Sequence, residues 1–120
     1  MVKVLFTPQH EWVALEGRHA VIGLTGKSLS GDVVFIELPQ IGSLVEKGAV
    51  CATVEMAKAV AEVHAPVGGC VTAVNDAVFD DPDSISRQPF DTWLFKLDTR
   101  EGDIAGLLTE REYAALEQKQ

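Results

Sequence analysis

Val50-Cys51-Ala52-Thr53-Val54-Glu55-Met56-Ala57-Lys58-Ala59-Val60-Ala61-Glu62-Val63-His64-Ala65-Pro66 decides the fold. Val50, Ala52, Val54 and Met56 alternate with Cys51, Thr53 and Glu55; Ala61, Val63 and Ala65 alternate with Val60, Glu62 and His64. A period of two is the mark of a half-buried strand, so the stretch reads as two strands folded back on each other. Between them stand Ala57 and Lys58. Neither is a usual hairpin former, since a free-standing turn calls for Asn-Gly or Asp-Gly. The tip is therefore expected to be held by the surrounding sheet, and its turn type is not legible. The spacing lifts one primary amine, on a four-carbon stem, away from the body of the chain. With no partner nearby in sequence, it is open to a modifying enzyme. The competing reading is an ordinary surface lysine.

Working outward, Gly42 and Gly48 bracket Leu44 and Val45 upstream, which suggests two tight turns with φ > 0. Pro66-Val67-Gly68-Gly69 turns the chain downstream. Further strands are expected over His19–Leu24, Asp32–Leu38, Cys70–Asn75 and Thr92–Leu97, with Pro39 ending the second. Thr25 to Ser30 is a weak candidate for one helical turn. Asp76 to Pro89 is polar and proline-punctuated, a surface loop with room for a helical turn. Ile104, Leu107 and Leu108 share one face if Asp103 to Leu108 is helical. Thr109-Glu110-Arg111-Glu112 has the form of a capping box, with Tyr113 and Leu116 packing inward behind it. The expected fold is mainly β: a flattened, barrel-like β-sandwich with a C-terminal helix, closed enough to hide its edges.

A chain of 120 residues, 47% hydrophobic and 23% charged, fits one globular domain over 1–120. Its net charge of −8 argues against nucleic acid, which needs clustered Lys and Arg, and suits a small protein that stays monomeric or meets basic patches on larger partners. No run approaches a transmembrane length, and Met1 to Phe6 is too short to serve as a signal peptide, so a soluble, cytoplasmic chain without a membrane partner is expected. Cys51 and Cys70 read either as a redox pair or as two small buried apolar residues. His10, His19 and His64 show no metal-ligand spacing to each other or to the cysteines. No nucleophile–base pair, phosphate loop or metal cluster supports catalysis by the protein itself.

The hairpin and its flanking glycines resemble the lipoyl- and biotinyl-carrier domains, whose prosthetic group hangs from a lysine at such a tip. His10-Glu11-Trp12-Val13 and Gly31-Asp32-Val33-Val34-Phe35-Ile36-Glu37-Leu38-Pro39 narrow the likeness to the H proteins of the glycine cleavage system, from about Thr7 to the C-terminal helix. The resemblance implies a barrel-sandwich hybrid and lipoate amide-linked to Lys58. It implies an aminomethyl group carried from a pyridoxal-phosphate glycine decarboxylase to an aminomethyltransferase, with reoxidation by dihydrolipoyl dehydrogenase. A lipoate ligase or lipoyltransferase would attach the cofactor. It also places Glu11 and Glu62 beside a cleft, where a carboxylate helps hold an amine, and gives Glu55 to the attaching enzyme. For all three acids a plain structural role is the competitor.

The sequence departs from that family's pattern in places. The usual Glu-Ser-x-Lys is here Glu55-Met56-Ala57-Lys58, and the stretch Ser86 to Trp93 reduces a Gly- and Tyr-bearing loop. These departures leave open an H-like lipoyl protein that relays lipoate or serves sulfur oxidation. A biotinyl carrier is less well matched, because biotinyl lysines are flanked directly by methionine and Lys58 stands between Ala57 and Ala59.

Overall fold

The computed structural model describes residues 2–100 and 104–119. Nine strands and three short helices follow in the order β1 (Lys3–Phe6), β2 (Glu11–Glu16), β3 (His19–Leu24), β4 (Val33–Glu37), β5 (Leu44–Val45), β6 (Val50–Met56), β7 (Val60–His64), β8 (Gly69–Val74), α1 (Ala77–Asp80), α2 (Ser84–Arg87), β9 (Phe95–Thr99) and α3 (Glu110–Glu117). They form a six-stranded sheet, β1-β2-β3-β9-β8-β5, and a three-stranded sheet, β4-β6-β7. All pairings are antiparallel.

The core lies between the sheets. Ile22, Leu24, Phe95 and Leu97 from the larger sheet meet Val33, Ile36, Val54 and Val63 from the smaller one. The alternation expected in the lysine hairpin is present: Ala52, Val54, Met56 and Val63 are buried, while Val60 and Glu62 face outward. Burying Val54, Met56 or Val63 is worth about 1.5–3 kcal/mol each, which is why the period-two pattern locks the register.

The flattened, barrel-like sandwich is present, its two sheets not closed on each other; β1 ends the larger one, its edge capped where Phe6 and Leu108 exchange N–H···O bonds of 2.8 and 2.7 Å. Four expectations need correction. Residues 25–30 make a single turn closed by Leu29 N–H to Gly26 O (3.2 Å), not a helical turn. The helical stretch expected from Asp103 lies partly outside the described residues, and from Ile104 on it is a turn with Gly106 at φ +82°, a left-handed conformation that ends any helix. The final strand starts at Phe95 and runs to Thr99. The region 76–89 carries two one-turn helices, α1 and α2, whose Val78 and Ile85 are wholly buried in the core. The capping box at α3 forms as expected: Glu112 N–H donates to Thr109 Oγ1 (3.2 Å) and Thr109 N–H to Glu112 Oε1 (2.9 Å).

Candidate functional site

Lys58 is exposed at the tip between β6 and β7, and makes no hydrogen bond or ion pair among the described residues. Met56 N–H donates to Ala59 O (2.8 Å), leaving Ala57-Lys58 as a two-residue connection. Neither residue has positive φ, so the tip is not the I′ or II′ turn that matches hairpin twist unaided. The sheet holds it instead. Strand β6 is central, paired with both β4 and β7. Met56 is buried, and its sulfur accepts from Ser30 N–H at 3.1 Å. A long, hydrated amine thus stands on a rigid base.

A groove of about 510 Å³ starts at Ala59, next to Lys58 in the chain. Its wall is apolar along Met56, Val60 and Ala61 and polar at Gln9, Ser28, Ser30, Glu62 and His64. Ser28 Oγ is buried without a hydrogen-bond partner among the described residues. A cavity of about 150 Å³ adjoins it, and Gln9 and His64 line both.

The three acids occupy different settings. Glu62 is exposed and lines the groove. Glu55 is half-buried on β6, between Phe35 of β4 and Val60 of β7. Glu11 is fully buried at 0% exposure. Its Oε1 accepts from Thr7 Oγ1 (2.7 Å), and its Oε2 accepts from His64 N–H (2.8 Å) and lies 3.0 Å from His64 Nδ1. Glu11 therefore reaches the groove through His64 and presents no free carboxylate to it.

The loop that positions Glu11 is strained at one residue. Thr7-Pro8-Gln9-His10 is a β-turn closed by His10 N–H to Thr7 O (3.1 Å), and His10 follows at φ +72°. This is a turn plus one left-handed residue, a three-residue hairpin connection in which glycine is usual. A histidine there costs on the order of 1–3 kcal/mol. Its partners hold it: His10 O accepts from Thr25 N–H (2.9 Å), and Nδ1 lies 2.6 Å from the Tyr113 hydroxyl. Tyr113 also bonds Thr25 Oγ1 (2.8 Å) and stacks on Phe6 at 4.9 Å. Burial, as the largest cause, pushes its hydroxyl above the ordinary range. Helix α3 thereby latches the loop carrying Gln9 and Glu11.

Cys51 and Cys70 are both free thiols, half-buried. Burial first, and then the charge of Glu11, pushes Cys51 up to about 12, the setting of an inert thiol rather than of a redox partner. Among the described residues, no cluster of three or more His, Cys, Asp or Glu could hold a metal, and no helix is long and apolar enough to cross a membrane.

Reading the sequence missed three participants. His64 counted there as an outward strand residue without metal-ligand spacing, although its two-residue spacing from Glu62 puts both on one face of β7. The Tyr113–His10 latch joins residues 103 apart, and the free Ser28 hydroxyl depends on tertiary packing. Neither leaves a local signal.

Two open antiparallel sheets around one core, with a lysine raised on a central hairpin beside a groove, make the barrel-sandwich architecture of prosthetic-group carrier domains. The Glycine cleavage H-protein family profile matches residues 4–120, and the chain belongs to that family. It is 40% identical over 114 residues to the glycine cleavage system H protein of Listeria innocua, covering 92% of this chain and 91% of that protein. The H protein of Listeria monocytogenes gives the same figures. The crystal structure of the H protein from Mycobacterium marinum superposes with a TM-score of 0.88 at 31% identity, over 97% of each chain.

Proposed function

We propose that the chain is the lipoyl carrier of glycine cleavage, a non-catalytic subunit with lipoate amide-linked to Lys58 Nζ. The observation that supports it most is an exposed lysine, without a partner among the described residues, on a rigid hairpin tip beside a groove, in a member of the H-protein family. Bound there, lipoate would supply a strained disulfide whose sulfur takes up and releases a one-carbon fragment. The protein's own residues present and shelter it. Amide formation removes the Lys58 charge, and the long lysine side chain, on its fixed tip, lets what it carries reach either the groove or a partner enzyme.

Within the groove, Met56, Val60 and Ala61 offer an apolar track, and Glu62 supplies negative charge toward an amine. Glu55, three residues before the lysine and fixed by pairing on both sides, is a recognition point for the lipoate ligase or lipoyltransferase. The partners are the pyridoxal-phosphate glycine decarboxylase, the aminomethyltransferase and dihydrolipoyl dehydrogenase. A net charge of −8 favours basic docking faces on them. The test is exchange of labelled bicarbonate with the glycine carboxyl, using the lipoylated chain and the decarboxylase of its own host. Exchange that depends on Lys58 is expected. No exchange, together with transfer of lipoate to another enzyme, would move the chain to a relay role.

A further inference from the structure

We propose that the outer face of the six-stranded sheet, at its β1 edge, is a docking surface for an extended segment of a partner enzyme. The segment carries a large apolar side chain with Lys or Arg two residues away. The carrier reading above supplies the partner; the surface stands without it.

The backbone of β1 is open at this edge. Phe6 exchanges both of its backbone bonds with Leu108, whereas Thr7 N–H donates to Glu11 O (2.9 Å). The odd-numbered residues of β1 therefore bond β2, and the even-numbered ones turn their N–H and C=O away from it. Val4 stands opposite Ala14 on β2. Its N–H and C=O, turned outward, have no partner among the described residues. Leu108 fills the edge at Phe6 and leaves it free at Val4. An unpaired edge is a template for one more strand.

Two apolar cavities lie on the face to which the Val4 side chain points. One, of about 330 Å³, is lined by Val4, Trp12, Val21 and Trp93 and includes one carboxylate, Asp91. The other, of about 320 Å³, lies among Val4, Phe6 and Phe90 and includes Glu110. Phe90 lines both cavities, is 57% exposed, and meets Phe6 edge-on at 6.4 Å. The floor is built in advance. Trp12 lies so close over Gly23 that a Cβ there would stand 2.4 Å from its ring. Trp12 Nε1–H donates to Pro89 O (3.0 Å), which pins the segment carrying Phe90 and Asp91. This segment belongs to the stretch 86–93, where the sequence departs from the family pattern and which the carrier site does not use.

Charge and shape select the occupant. Each cavity joins an apolar wall to one exposed carboxylate. Lys96 is engaged over the Trp93 ring at 4.7 Å. A strand residue placed opposite Val4 puts its side chain on the same face, against Val4 and Phe90. Residues two positions away share that face, and a Lys or Arg there reaches Asp91 or Glu110. A second copy of this chain, at −8, brings the wrong sign.

The experiment titrates the ¹⁵N-labelled full chain with end-blocked peptides and follows chemical shifts. Lys-Thr-Phe-Thr-Lys should move the Val4 and Phe90 amides and the Trp12 and Trp93 indoles, saturably. Lys-Thr-Ser-Thr-Lys keeps the charge and Glu-Thr-Phe-Thr-Glu keeps the ring; each should bind several-fold more weakly. Phe90→Ser, at unchanged net charge, should weaken the first peptide several-fold. Val4→Pro removes the edge N–H without touching the ladder to β2, and should do the same. In the lipoylated chain, Phe90→Ser should take up lipoate normally. Its KM should rise several-fold, with kcat kept, for at least one of the decarboxylase, the aminomethyltransferase and the dihydrolipoyl dehydrogenase.

Equal binding of the first peptide and either control would overturn the inference. So would undiminished binding in Phe90→Ser or in folded Val4→Pro, or a wild-type KM for Phe90→Ser with all three enzymes. Sedimentation showing this face covered by a second copy would overturn it too. All of these leave the carrier reading intact. A chain that takes no lipoate on Lys58 would end the carrier reading while the peptide titrations still decide the surface.

Discussion

Replacing Gly48 by valine tests how the lysine hairpin is fastened to the rest of the molecule. Gly48 has φ +87° and is the third residue of the turn Glu46–Ala49, closed by Ala49 N–H to Glu46 O at 3.0 Å. Its N–H donates to Ala65 O (2.8 Å), and Ala65 N–H returns to Ala49 O (2.9 Å), so the turn clamps the end of the hairpin remote from Lys58. A Cβ added at this position meets nothing within 4 Å. The cost is therefore backbone strain alone, about 1–3 kcal/mol for a β-branched residue in the left-handed region. Unfolding entropy for 120 residues is roughly 0.25 kcal/mol per kelvin, so the melting temperature should fall by about 4–12 °C. Gly48→Asn should recover much of this loss, because asparagine tolerates the left-handed region. Calorimetry on the wild type and both variants measures it. A valine variant that melts with the wild type, or an asparagine variant as damaged as valine, would show that φ does not limit this turn.

Lys58→Arg should leave the melting temperature within about 1 °C of wild type, since an exposed, unpartnered tip residue contributes little to folding, yet it should abolish lipoate uptake; a lipoylated Arg variant on intact mass would contradict the site. Tyr113→Phe keeps the stack on Phe6 but loses the hydrogen bonds to His10 and Thr25, and denaturant unfolding should show a loss of about 1–2 kcal/mol. The Cys51 thiol, raised from 9.0 to about 12, stays neutral in the fold at pH values where the unfolded chain ionises. Its contribution is thus complete below pH 9 and lost as pH rises toward 12, so wild type should lose more stability across that window than Cys51→Ala in paired denaturant titrations.

Most of the architecture is legible where burial is one-sided. The alternation in β6 and β7 holds from Ala52 to Met56 and at Val63, but fails at Val50, which is exposed where the pairing with β7 shifts register before Ala52; the glycines expected at φ > 0 include Gly42 at +90° and Gly48 at +87°. Legibility fails where local pattern and tertiary context disagree. Ile104, Leu107 and Leu108 have helical spacing, but Gly106 turns left-handed and Leu108 pairs with β1. Val78 and Ile85 sit in a polar, proline-bearing stretch whose composition hides two core side chains. At the site, the lysine is visible because a hairpin is local. The burial of Glu11 is not, because Thr7 is four residues away but His64 is 53. An acid in so acidic a chain reads as surface until its donors are placed around it.

The most direct test of the central claim is peptide mapping of the chain after incubation with a lipoate ligase, ATP and lipoate. The account predicts one lipoyl group, on the peptide containing Lys58, and none on Lys27 or Lys47. Lipoate on either of those lysines, or a fully unmodified Lys58 in folded protein, would contradict it.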